Sequence, residues 1–356
     1  MTVTAPVLVR YGAEHADQFA ELTMPAGPPR GVVVLVHGGF WRVPHGLAGA
    51  RPLAADLAHR GWVAWNLEYR RVGDGGGTPA TFDDLAAGID ALRPAAEQHG
   101  FGLDTVLALG HSAGGHLATW AASRTRHERW ARDGAVRLTG VVAQAAVLDL
   151  VAAAELGGGA AGQLLGHAPG AGDAPYDPIR QVPLDVPVRC VHGRADDLVP
   201  PSQSGDYVAA ARAGGAEATL SLVDGGHFDV IDVDHPAWRT QVWALQSLVE
   251  PDAAVRRFLV RGRLETLPRR QTDRDAVLAW VATRVTAVHE PVTERELTGR
   301  LAGFVRDPVG VRRELVEAGL VSRTRDGAEY WRTRVTDLDG LGAVDAIDAA
   351  LADGGD

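Results

Sequence analysis

The chain has 356 residues, 46% hydrophobic and 22% charged, with a net charge of −10 and a single cysteine, Cys190. That balance fills one large and one small core; it excludes a chain disordered throughout, a collagen-like chain and a coiled coil. One cysteine excludes an internal disulfide and a cysteine-built zinc site. The clearest apolar run, Val32 to Val36, is far short of the ~18 residues of a membrane span. Met1 to Arg10 has no basic stretch followed by an apolar one, so no signal peptide is expected, and a cytoplasmic location is.

All 35 basic residues are arginine, a compositional bias that makes arginine alone weak evidence for phosphate binding. Charge is unevenly spread. Residues 255–334 hold 17 arginines against 11 carboxylates, a net of +6, and residues 335–356 hold six aspartates and no base. An acidic body (1–250), a basic module (251–335) and an acidic tail (336–356) are expected, with a boundary at Glu250-Pro251.

In chain order, Gly31–Val36 reads as a buried strand, Leu47–His59 as a helix and Gly61–Asn66 as a strand. Phe82–Gln98 reads as one helix, Thr105–Leu109 as a strand and Gly115–Ser123 as a helix. Leu138–Ala145, Val186–Val191 and Ala218–Val223 read as strands, before a helix near Pro236–Leu248. This alternation predicts an α/β fold with a mostly parallel sheet and helices on both faces. Gly73–Gly77 is a turn; it is no phosphate loop, because no Lys-Ser/Thr follows. Gly157–Pro175 is Gly/Ala-rich and poorly periodic, which predicts either a mobile loop bordering a site or a surface insertion. Beyond residue 251, Thr272–Val288 is an amphipathic helix. Thr293 with Glu296 is a capping box, Asp307-Pro308 opens a third helix, and Leu320–Trp331 is a hairpin about Asp326-Gly327. Three helices and a hairpin predict a winged-helix-like α+β domain.

Gly110-His111-Ser112-Ala113-Gly114 is G-x-S-x-G between a strand and a helix. The glycines permit the sharp turn that lifts a serine hydroxyl above the sheet edge with a helix N-terminus behind it. Serine needs a base. His227, in the turn after the last strand, is preferred to His235, which sits at a helix start. Asp196 and Asp197, in His192-Gly193-Arg194-Ala195-Asp196-Asp197, both follow the strand before that turn; Asp196 is preferred as the acid on the H-G-x-x-D-x-x-V-P spacing. His37-Gly38-Gly39-Phe40-Trp41 follows the first central strand. Amides at Gly38, Gly39 or Phe40, with that of Ala113, are the expected oxyanion donors.

These motifs resemble the α/β-hydrolase superfamily, and within it the H-G-G-x-W group of kynurenine formamidase-like and small acetyl/feruloyl-esterase-like hydrolases. HGGFWR, GHSAGGHLA, HGRADDLVP and GGHFDVID hold the likeness over residues 10–250, and YGAEHADQFAELTMP is similar to that group's opening strand pair. The resemblance implies Ser112 as nucleophile, Asp196 as acid and His227 as base, with no cofactor. RFLVRGRLETLP, DRDAVLAWVATRV and RDPVGVRRELVEAGLVSRTRDGAEYWR resemble the DUF2087 domain.

Other residues have plainer expectations. Asp229, Asp232, Asp234 and His235 form a solvated run more readily than a cation site. Arg42, Arg70 and Arg71 are expected to pair with Asp83 or Asp84 rather than hold a substrate carboxylate. Trp41 is expected to line the pocket, Trp65 to pack in the core and Cys190 to be buried. The expected reaction is hydrolysis of a small carboxylic ester, with an aryl formamide as the alternative and peptides last. For the basic module, Arg306, Arg312 and Arg313 on or near its third helix and Arg323 and Arg325 on its hairpin suit DNA contacts. Glu314 and Glu317 on the same helix and the acidic tail oppose this, so protein docking or dimerisation is preferred.

Overall fold

A computed structural model describes residues 3–249, 253–260, 262–286 and 291–333. The expected boundary at Glu250-Pro251 and the acidic tail lie outside them. The chain divides into two compact units, Met1–Gln241 and Val242–Asp356.

In the first unit the strands are β1 (Val7–Arg10), β2 (Phe19–Thr23), β3 (Val32–Val36), β4 (Val63–Leu67), β5 (Val106–His111), β6 (Gly140–Gln144), β7 (Val188–Gly193) and β8 (Ala218–Val223). They form one sheet in the order β1-β2-β4-β3-β5-β6-β7-β8. β1, β2 and β4 pair antiparallel, and every pairing from β4 to β8 is parallel. Val32 to Val36 are buried on both faces of the sheet, which is why this strand reads as a continuous β-branched run rather than an alternation. The helices are α1 (Arg51–His59), α2 (Ala80–Asp90), α3 (Leu92–His99), α4 (Ala113–Ser123), α5 (Ala160–Leu165), α6 (Ser202–Ala213) and α7 (Ala237–Gln246), the last running on into the second unit.

Order reverses at β3: the chain first builds β4 on one side of it, then crosses to β5 on the other. The carboxyl ends of β3 and β5 therefore flank a topological switch point, where open α/β sheets leave a crevice.

Two expectations are corrected. The single helix over Phe82–Gln98 is two, α2 and α3, broken at Ala91. Pro94 has no N–H to give to the Asp90 carbonyl four residues back, so the ladder cannot continue. Gly157–Pro175 is not an irregular loop. It holds α5, flanked by Gly159 and Gly166 in the left-handed region, with Ala160, Ala161, Leu164 and Leu165 buried, followed by a 3-10 turn over Ala171–Tyr176.

In the second unit α8 (Ala253–Arg256) precedes a short pair, β9 (Leu259–Val260) and β10 (Arg263–Leu264). After it come α9 (Gln271–Val285), β11 (Val292–Thr293), α10 (Glu294–Ala302), α11 (Pro308–Glu317), β12 (Val321–Arg323) and β13 (Glu329–Arg332). The last three strands form an antiparallel sheet, β11-β13-β12. Val277, Val281 and Val285 of α9 share a core with Leu297, Leu301, Val311 and Leu315. Thr293 and Glu296 make the reciprocal capping box, and Asp307 Oδ1 accepts from the Gly310 amide at 2.9 Å. Among the described residues, no helix is long and apolar enough to cross a membrane.

Candidate active site

Ser112 lies in the one-residue step between β5 and α4. Its φ of 54° and ψ of −119° are costly for a residue with a Cβ, on the order of 1–3 kcal/mol. The surroundings hold it there. Ser112 N–H donates to the Gln144 carbonyl (2.8 Å), and its own carbonyl accepts from His116 N (3.1 Å). The flanking glycines are demanded by close approach. A Cβ on Gly110 would stand 2.2 Å from the Gly114 carbonyl oxygen, and one on Gly114 would stand 2.1 Å from that of Val36. The nucleophile turn thus packs backbone to backbone against the end of β3, with Ala113 as the first residue of α4, where helix N–H groups have no partner within the helix.

The loop after β3 wraps this turn. Gly39, Phe40 and Trp41 have φ of 114°, 55° and 57°, and Arg42 N–H closes the turn on the Gly39 carbonyl at 3.0 Å. A Cβ on Gly38 would stand 3.2 Å from Ser112 Cβ, so the Gly38 main chain lies directly against the serine. From behind, Glu68 anchors the loop. Its Oε1 accepts from His37 Nε2 (2.8 Å) and Tyr69 N (3.0 Å), and its Oε2 from Leu47 N (2.9 Å). Burial pushes the Glu68 carboxyl up, but the His37 ring, the Leu47 amide and Arg71 together outweigh it and hold it below its ordinary range. Tyr69 stacks on the His37 ring at 4.4 Å and donates its hydroxyl to the His37 carbonyl at 2.8 Å.

Asp196 and His227 meet at the ends of β7 and β8. His227 Nδ1–H donates to Asp196 Oδ2 at 2.7 Å. Both are buried, at 5% and 8% exposure. Asp196 Oδ1 accepts from the amides of Leu198 (3.0 Å) and Val199 (2.9 Å). Burial raises the Asp196 carboxyl, but the His192 and His227 rings and the Val199 amide more than offset it and keep it well below the usual carboxylate range. The two loops are clasped by Ala195 N–H on the Gly225 carbonyl (3.0 Å). His111, beside the serine, donates Nε2–H to the His227 carbonyl at 2.9 Å, and its ring lies 4.6 Å from that of His227. Burial and the neighbouring His227 lower the His111 ring to about 3, so it is neutral at ordinary pH.

Ser112, His227, Gly38, Gly39 and Phe40 all line one cavity of about 360 Å³. Leu35, Val36, Leu53, Leu109, Leu198 and Ile231 supply apolar wall, His37, His45, His111 and Gln144 supply polar groups, and Phe228, 63% exposed, stands at the rim. No arginine or carboxylate is among its described lining residues.

The remaining candidates fall elsewhere. Trp41 is not in the cavity wall: its left-handed φ turns the indole inward, where it is 2% exposed and packs edge-on to His116. Trp65 and Cys190 are buried. Asp197 is exposed. His235 Nδ1 accepts the Ala237 amide at the start of α7 (3.2 Å). Asp229 Oδ2 accepts from Gly226 N and Asp232 Oδ1 from Asp234 N, local turn bonds. Arg70 forks onto Asp84, as expected, and Asp84 is buried, 1% exposed. Arg71 pairs with Asp17, and Asp83 pairs with Arg129. Sequence reasoning missed Glu68, His111 and His192. A buried Glu68 in Asn66-Leu67-Glu68-Tyr69 at the end of an apolar strand was the one signal available.

A mostly parallel sheet with a serine turn after its central strand and an acid–histidine pair at neighbouring strand ends is the architecture of an α/β-hydrolase. The chain belongs to the BD-FAE family of α/β-hydrolase esterases, whose model matches residues 22–210, more than half its length. Residues 263–332 match a second family, an uncharacterized protein conserved in bacteria (DUF2087). Among solved structures, the chain is similar to a truncated form of a carbohydrate esterase from gut microbiota, at 19% identity and TM-score 0.59, over 70% of this chain and 97% of that one. It is also similar to esterase B from Lactobacillus rhamnosis HN001, at 23% identity and TM-score 0.59, over 69% and 85%. A thermophilic esterase, Est2, from the planctomycete Thermogutta terrifontis matches at 22% identity and TM-score 0.56, over 67% and 89%. At these identities the likeness is one of fold. No curated protein matches the chain.

Proposed function

We propose that the protein is a serine hydrolase that cleaves a small, uncharged carboxylic ester by acyl transfer. The observation that carries this is the strained Ser112 turn and the Asp196-bound His227 opening on one apolar cavity. With Nδ1–H held by Asp196, His227 keeps a lone pair on Nε2. That nitrogen takes the Ser112 proton as Oγ attacks the ester carbonyl, and amides at Ala113 and in the Gly38–Phe40 loop receive the oxyanion. The alcohol leaves with the proton from His227. Water, deprotonated by the same nitrogen, then attacks the acyl-serine, and the carboxylic acid is released.

An ester is favoured over N-formylkynurenine because that formamide carries both an ammonium and a carboxylate. A cavity lined without arginine or carboxylate offers the ammonium no anionic partner and the carboxylate nothing beyond imidazole, and an unpaired charge there costs several kcal/mol. The test is hydrolysis of short-chain aryl esters by wild type and Ser112→Ala, with fluorophosphonate labelling of Ser112. Turnover by Ser112→Ala at the wild-type rate refutes the nucleophile. A large preference for the formamide refutes the ester.

For the C-terminal unit we infer a docking or dimerising role rather than DNA reading. Arg312 is bound to Glu294 at 2.7 Å, Arg306 to Glu265 at 3.2 Å, and Glu314 is taken by Arg274, so much of the charge on and beside α11 is neutralised locally. Arg313, Arg323 and Arg325 are exposed. Duplex binding by the full chain that is tight at low salt and falls steeply with added salt would reverse this preference.

A further inference from the structure

The Asp196 carboxylate has two imidazole neighbours, not one. His192, at the end of β7 and fully buried, places Nε2 3.1 Å from Asp196 Oδ2, the same oxygen that accepts from His227 Nδ1 at 2.7 Å. The tautomer of His192 follows from its contacts. Nε2 also lies 2.8 Å from the Val199 carbonyl oxygen, which can only accept, so Nε2 carries the proton. Nδ1 then accepts from the Ser204 hydroxyl at 2.8 Å. Ser204, on α6, is fully buried. A buried polar chain therefore runs from α6 through Ser204 and His192 to Asp196 and His227.

We infer that His192 is a positioning residue for the acid, resting on the serine-hydrolase reading above. Three N–H groups donate to that carboxylate, the Leu198 and Val199 amides to Oδ1 and His227 Nδ1 to Oδ2. His192 gives its Nε2–H to the Val199 carbonyl at 2.8 Å, tying down the residue whose amide holds Oδ1, and the same nitrogen lies 3.1 Å from Oδ2, so the carboxylate is kept from rotating about its Cβ–Cγ bond. The fixed carboxylate in turn holds His227 Nδ1–H, and with it the tautomer of that ring. The other titratable groups facing this pair are His111, whose ring is tilted against that of His227, and Asp229, bonded to the Gly226 amide; Asp197, Asp224 and Arg194 are exposed.

The experiment measures kcat and KM on a short aryl ester for three full-length variants. His192→Phe keeps a ring but no donor. It is expected to lower kcat about tenfold with KM little changed. His192→Gln, which restores an N–H near the same place, is expected to return kcat toward wild type. Ser204→Ala, a smaller perturbation that leaves Nδ1 of His192 without its donor, is expected to lower kcat less, again with KM little changed. A kcat within about twofold of wild type in His192→Phe, or in Ser204→Ala should the former fail to fold, overturns the role of His192. If fluorophosphonate labels Ser112 in that case, the hydrolase stands without it; if Ser112 is not labelled even in wild type, both readings fall.

Discussion

Asp196→Asn tests the acid–base pair more sharply than removal of the side chain, because the structure dictates how the amide must sit. Oδ1 of Asp196 accepts from two backbone amides, Leu198 and Val199. An asparagine can satisfy them only with its carbonyl oxygen. Its NH2 group is thereby forced into the place of Oδ2, toward His227 Nδ1 and His192 Nε2. His227 must then accept at Nδ1 and carry its proton on Nε2, the tautomer that cannot take a proton from Ser112. His192 Nε2–H meets a second donor, since its own proton is fixed by the Val199 carbonyl. Loss of the correct tautomer in such a triad costs roughly ten-thousandfold in kcat, about 5.4 kcal/mol at 1.36 kcal/mol per factor of ten. The assay is kcat on a short aryl ester beside Asp197→Asn, whose carboxylate is exposed and whose loss should change kcat less than twofold. A fall of under tenfold in Asp196→Asn, or a larger fall in Asp197→Asn, would refute the reasoning.

Two further outcomes concern stability. Arg124 is 1% exposed and neutralised by Asp90, with its remaining bond to the Val136 carbonyl; Asp90→Ala strands that charge and should cost about 3–5 kcal/mol in urea unfolding, so a loss below 1 kcal/mol would contradict a structural ion pair. Asp177 is fully buried, and burial raises its carboxyl to about 6. A carboxyl that holds its proton more tightly when folded adds stability at low pH and loses it as pH climbs from about 4 to about 6. Relative to Asp177→Asn, wild type should therefore lose on the order of 2–3 kcal/mol across that window, and parallel pH curves for the two proteins would show that Asp177 does not titrate there.

Much of the fold was legible because periodicity and turn chemistry are local. The β-branched run of β3, the glycines about Ser112 and the Asp307-Pro308 helix start each announce themselves within a few residues. Where two local signals competed, the weaker one was missed. The apolar spacing of Phe82–Gln98 hid the break that Pro94 imposes. The glycines of 157–175 masked the short apolar face of α5. Trp41 was misplaced because its direction depends on a run of left-handed residues, two of them not glycine, which no side-chain preference foretells. The order of Ser112, Asp196 and His227 along the chain was readable, since each follows its own strand. The supports, Glu68 behind the Gly38 loop and His192 beneath Asp196, were not. Their partners are set by which strands the sheet makes neighbours, a tertiary fact with no counterpart in spacing.

The cavity beside Ser112, walled by Leu35, Leu53, Leu109 and Leu198, treats the two ends of a turnover differently. An ester arrives neutral and gains by leaving water for an apolar wall. The acid it becomes ionises at neutral pH, and an ionised carboxylate is disfavoured against that leucine wall, where no arginine lines the cavity to pair with it. The same lining that draws the reactant in therefore ejects what is made from it. The carboxylate product should therefore compete poorly with fresh ester even as it accumulates.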